Sequence, residues 1–75
     1  MTKLPVLSGR DLVKILKKMG FEPVRQKGSH IILEKMDANP RKALVVPNHK
    51  EIDTGTLIEI IRQAGLKREE FEKLL

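Results

Sequence analysis

The 75-residue chain contains no cysteine, tryptophan or tyrosine, and its aromatic residues are Phe21 and Phe71 alone. Without cysteine, neither a disulfide framework nor a thiolate metal site is available, and the absence fits a reducing cytosol. Without exposed aromatic rings there is no platform on which splayed bases can stack, which sets aside an RRM-like or cold-shock-like mode of binding. The apolar runs are only a few residues long, too short to span a membrane. The opening MTKLPVLSGRD also lacks the apolar stretch of a signal peptide. A soluble cytoplasmic protein is the expectation. The sequence shows no internal repeats, low-complexity segments or linkers.

Positive charge is what the chain has in excess. Lys and Arg total 15 against 10 for Asp and Glu, giving a net charge of +5 and a pI near 9.8. That balance favours polyanionic partners, nucleic acid first and acidic protein surfaces second. With so few aromatics, a nucleic acid would be gripped through phosphate, sugar and shape. A chain of this length has room for one core and buries only about 60% of its unfolded surface. Residues 1–75 therefore read as a single domain in which most apolar side chains are needed for packing.

Two segments carry helical periodicity. In SGRDLVKILKKMG, Ser8 is a natural N-cap and Asp11 lies three residues on, a short-acid version of the capping box. Leu12, Ile15, Leu16 and Met19 then make one apolar stripe, with Lys14, Lys17 and Lys18 mostly outside it. Gly20 supplies the left-handed position that ends the helix. In TGTLIEIIRQAG, Thr54 is the expected cap, Leu57, Ile60, Ile61 and Ala64 form the stripe, and Gly65 closes it. The tail KREEFEKLL reads as a short last helix with Phe71, Leu74 and Leu75 on one side.

Between the two long helices the period changes to two. Phe21–Gln26, His30–Lys35 and Arg41–Val46 read as short strands, separated by a Lys27-Gly28 turn and a turn cluster of Asp37, Asn39 and Pro40. Pro23 cannot donate to a ladder, which puts the first strand at an edge or leaves only its second half paired. Brief connections imply an antiparallel meander. The expected fold is α+β: a two-layer α-β-β-β-α sandwich, a three-stranded antiparallel sheet with its helices on one face.

The stretch RQKGSHIIL sets a histidine between a cationic turn and an apolar run. Strand alternation puts His30, Ile32 and Glu34 on one face and Ser29, Ile31 and Leu33 on the other. With Ile31 and Leu33 turned to the helices, His30 points to the open face. Gly28 lets the backbone approach a ligand closely, and Arg25 and Lys27 add positive charge alongside. Imidazole is the side chain whose proton is mobile near neutral pH, so the group suits acid/base chemistry on a phosphodiester. A solubilising or hydrogen-bonding histidine is the plainer alternative. Ile32, apolar on that open face, fits a partner that covers it.

Other candidates are less developed. His49, in the loop PNHKEID, reads first as a loop residue packing on the start of the following helix, and otherwise as a second acid/base group or an RNA contact. Thr54, Gly55 and Thr56 open a helix whose free N–H groups can receive a phosphate, although an ordinary cap explains them as well. A metal site is not expected. His30 and Glu34 lie four apart on a strand, about 13 Å along it, and His49 with Asp53 supplies only two ligands.

SGRDLVKILKKMGFEPVRQKGSHIIL followed by VVPNHKEIDTGTLIEIIRQAGL resembles the HicA toxins of bacterial and archaeal toxin–antitoxin pairs, from about Ser8 to Leu66. A helix ending in Gly-Phe, the QKGSH turn and the VPNH…GTL…I…QAG block occur in the same order with similar spacing. The resemblance implies a double-stranded-RNA-binding-domain-like fold and a small, metal-independent endoribonuclease that cleaves mRNA. It implies His30 as the single catalytic histidine and a HicB-like antitoxin as inhibitor. Arg25, Lys27, Gly28 and Ser29, with Thr54, Gly55 and Thr56, are then the expected RNA contacts. No cofactor is expected. A non-catalytic RNA-binding module of the same fold is the rival reading.

Overall fold

A computed structural model describes residues 4–38 and 42–75. The elements follow as α1 (Gly9–Lys17), β1 (Phe21–Lys27), β2 (His30–Lys35), β3 (Lys42–Pro47), α2 (Thr54–Gln63) and α3 (Arg68–Lys73). The expected α+β order is present. Arg41, expected to begin the third strand, lies outside the described residues, as do Asn39 and Pro40 of the expected turn.

α1 begins where the capping residues place it. Ser8 Oγ accepts the Asp11 N–H at 3.1 Å, and Asp11 Oδ2 accepts the Ser8 N–H at 3.2 Å, closing the box. The helix ends before Gly20, whose φ of 99° turns the chain into β1. α2 is capped one residue earlier than expected. Asp53, not Thr54, is the N-cap, with Oδ2 accepting the Thr56 N–H at 3.1 Å and Oδ1 the Thr56 hydroxyl at 2.7 Å. A carboxylate on the first turn is favoured over a hydroxyl here because it accepts two bonds and opposes the helix dipole.

The sheet is a meander in the order β1-β2-β3, both pairs antiparallel. β1 is thus an edge strand, in keeping with Pro23. Leu33, Leu44 and Val46 project from one face and are buried against Leu12, Ile15 and Leu16 of α1 and Leu57, Ile60 and Ile61 of α2. Phe21 and Phe71 are fully buried in the same core. Lys18 Nζ donates to the Leu74 carbonyl at 3.0 Å, tying the end of α1 to the end of α3. Leu75, expected beside Phe71 and Leu74, is instead 53% exposed, because α3 stops at Lys73. The helices therefore occupy one face and leave the other bare.

The β1 ladder is not regular. Pro23 pairs with Leu33 and Arg25 with Ile32, so Val24 is an extra residue in a bulge. Before the bulge, Phe21 and Pro23 face the helices. After it the parity is reversed, so Gln26 faces them and Arg25 and Lys27 turn to the bare face.

Candidate active site

The bare face is read most simply as three cross-strand rows. Nearest the β1–β2 turn, Lys27, His30 and Pro47 lie side by side; next come Arg25, Ile32 and Val45; farthest are Glu22, Glu34 and Ala43. Opposed residues on one face hold their Cβ atoms about 4.5–5.5 Å apart, and diagonal ones about 7–8 Å. Lys27 and Arg25 thus both reach the space above His30. His30, Arg25 and Lys27 are all exposed. The ring of His30 makes no hydrogen bond among the described residues, and neither cation is paired with a carboxylate there. Glu22 lies opposite Glu34 at the far end of the face, away from the turn.

The turn itself is short and braced. Gly28 and Ser29 form a two-residue loop between the paired Lys27 and His30, with Gly28 at φ 59°. That places a positive φ at the first central position, the requirement of a type II′ hairpin turn. Among the described residues other than its two chain neighbours, no heavy atom lies within 4 Å of where a Gly28 Cβ would sit, so the positive φ, not crowding, explains the glycine. Gln26 Nε2 donates to the Gly28 carbonyl at 3.0 Å. The Ser29 carbonyl accepts the Asn48 N–H at 2.6 Å, which fastens the turn to the segment leaving β3.

That second segment is held from the other side by α1. The Gly9 N–H donates to the His49 carbonyl at 2.9 Å. A Cβ on Gly9 would collide with the Pro47 carbonyl oxygen and lie 2.8 Å from Asn48 Cα. His49 is exposed beside Ser8, Arg10, Asn48 and Lys50, at the same end of the sheet as His30. Nothing in strand periodicity signals this meeting, since it joins residues forty positions apart in the chain (Gly9 and His49).

The helix-start candidates fare differently. Hydrogen bonds from the Thr56 hydroxyl, then from its backbone N–H, hold the Asp53 carboxyl below its ordinary value. Its negative charge occupies the place a phosphate would take before Thr54, Gly55 and Thr56. A phosphate contact there requires Asp53 to be displaced. Among the described residues, no group of three or more His, Cys, Asp or Glu side chains gathers to hold a metal ion. No helix among them is long and apolar enough to cross a membrane.

An exposed histidine with two cations on the neighbouring strand, on the bare face of an α-β-β-β-α meander, is the geometry against which kinship has meaning. The family model described as HicA toxin of bacterial toxin-antitoxin matches residues 9–66. The chain belongs to the HicA toxin family. No curated protein and no solved structure gives a match. The matched span of this HicA chain begins at Gly9, the residue packed on Pro47 and Asn48, and ends just beyond α2. It includes both the His30 turn and the His49 loop. Membership of a toxin–antitoxin family implies an antitoxin partner.

Proposed function

We propose that this HicA protein is a cytoplasmic, metal-independent endoribonuclease that cleaves mRNA, with His30 as its acid/base group. The observation that carries the reading is the row Lys27–His30, with Arg25 diagonal to it, on a face that the helices leave open. In such a reaction the ribose 2′-oxygen attacks the adjacent phosphorus. A new P–O2′ bond forms, the P–O5′ bond breaks, and a 2′,3′-cyclic phosphate and a 5′-hydroxyl result. One proton leaves the 2′-hydroxyl and one reaches O5′. His30 accepts the first or supplies the second.

Lys27 and Arg25 stabilise the charge that builds on the non-bridging oxygens. The Gly28-Ser29 turn lets the strand pass close to the backbone. A single general acid/base group contributes about 10²–10⁴-fold. The chemistry is accordingly slow, which suffices for a toxin because each severed message is lost. A HicB-like antitoxin fits the same face. Ile32 and Val45 form a small apolar pair beside His30, with Val45 48% exposed. Covering them would occlude the imidazole and neutralise both cations together.

The test is cleavage of RNA by purified protein in excess EDTA. His30→Ala is expected to cut at least about 100-fold more slowly, with an unchanged melting temperature because the ring supports nothing. Cleavage that needs added Mg²⁺, or that survives His30→Ala intact, refutes the assignment. RNA binding without cleavage by the wild type would make the protein a binding module.

A further inference from the structure

A second concentration of positive charge, separate from the His30 row, lies at the same end of the sheet. Arg10, His49 and Lys50, with Ser8 and Asn48, line an open pocket of about 350 Å3. No carboxylate among the described residues lines it. Arg10, His49 and Lys50 have no hydrogen-bonding or ion-pairing side-chain partner among the described residues. Arg10 stands in the first turn of α1, where the helix end is itself positive and a cation is disfavoured. Asp11, the acid of that turn, is engaged by Ser8 rather than by Arg10. A charge placed against local preference is what a site for an external anion would show.

We infer that this pocket binds a phosphate group of the RNA strand next to the one at His30. The inference rests on the ribonuclease reading and extends it by a second contact. Pro47 is paired with His30, so their Cα atoms lie within about 5.5 Å. Two further residues of chain reach at most about 7 Å more. The His49 Cα is therefore within about 13 Å of the His30 Cα, a distance that two long-armed side chains and neighbouring phosphates of one strand bridge. The hydrogen bonds Asn48 N–H to Ser29 and Gly9 N–H to His49 fix the two places relative to each other. Arg10 and Lys50 supply the charge, and the Asn48 amide and His49 ring supply directed hydrogen bonds. The backbone donors of the first turn are not needed: Gly9 N–H is taken by His49, Asp11 N–H and Leu12 N–H by Ser8.

The experiment measures binding of a 2′-O-methyl RNA oligonucleotide, which cannot be cleaved, across a series of salt concentrations. For single strands each lost phosphate contact reduces the slope of log K against log salt by about 0.7. Arg10→Ala and Lys50→Ala are each expected to lower the slope by up to that amount and to weaken binding roughly twofold to fivefold. Lys73→Ala, a cation in the last turn of α3, is the control and should match the wild type. Slopes and affinities unchanged in both pocket variants, while the wild type binds and cleaves RNA, overturn the pocket and leave His30 standing. A wild type that binds no RNA removes the ribonuclease reading, and the pocket with it.

Discussion

Deleting Val24 tests the bulge that organises the site. In the bulge Val24 is the residue with no partner, so its loss sets Pro23, opposite Leu33, directly before Arg25, opposite Ile32, in a regular ladder. Every other pair is kept: Phe21 stays opposite Lys35 on the helix side, and Arg25 and Lys27 stay on the bare face with Lys27 opposite His30. No core side chain is removed, because Val24 lies outside the core cluster. What is lost is the extra local twist and a partly exposed side chain, about 1 kcal/mol in all. At roughly 0.05–0.15 kcal/mol per residue, a 75-residue domain has about 4–11 kcal/mol in all. Each lost kcal/mol lowers the midpoint of so small a domain by about 4–8 °C. The deletion should therefore leave the chain folded and lower the melting temperature, followed by circular dichroism, by no more than about 8 °C. Val24→Ala keeps the residue count and trims a side chain that is 43% exposed; it should cost under about 1 kcal/mol. A deletion variant that is unfolded, or that melts more than about 15 °C below the wild type, would show that Val24 is a paired residue of β1 rather than the extra one.

Other outcomes follow from particular contacts. Gly9→Ala should destabilise by about 1–3 kcal/mol, because the new Cβ meets the backbone of Pro47 and Asn48, which no rotamer change can relieve; a melt at the wild-type temperature would contradict this. Gly55→Ala meets only the Asp53 carboxylate at 3.4 Å and should be neutral or stabilising by up to about 1 kcal/mol, read in the same assay. Acid should weaken the fold through its two caps. The carboxyl of Asp11 is held low by the Ser8 backbone N–H and then its hydroxyl, and that of Asp53 by the Thr56 hydroxyl and N–H. A folded-state value below the unfolded one stabilises at pH above about 4 and is lost as pH falls through the folded value. Urea midpoints should stay level from pH 7 to about pH 5 and fall below about pH 4. An Asp11→Asn/Asp53→Asn protein with an equally steep acid slope would count against the caps as its source.

Much of this architecture is written in short-range pattern. The stripe Leu12, Ile15, Leu16 and the box Ser8–Asp11 define α1 before any coordinate is known, and Leu33 among its neighbours defines the buried side of β2. Periodicity fails where a strand breaks its own period. Counting by twos from Phe21 sends Arg25 and Lys27 toward the helices, which no small domain tolerates for two unpaired cations. That conflict, next to a proline, is the signal in the sequence for the bulge. The cap of α2, expected at Thr54, falls on Asp53 for another reason: both residue types are good caps, and only the reach to Thr56 separates them. The pocket around Arg10 and His49 has no local signature at all, since α1 and the segment after β3 meet only once the sheet has formed.

These two kinds of residue separate activity from stability. Arg25, Lys27 and His30 are exposed and do not pack in the core, so replacing them changes what the face can bind while leaving the fold nearly untouched. Phe21 and Gly9 do the reverse: neither touches the space above His30, yet each sets where its neighbours stand. In a domain whose whole stability is about 4–11 kcal/mol, a site built from weight-bearing residues would unfold when altered. Placing the histidine on the face without helices avoids that coupling and keeps it open both to an RNA strand and to a protein that covers it. The same arrangement makes the His30→Ala comparison interpretable, because lost cleavage at an unchanged melting temperature can be charged only to the missing ring.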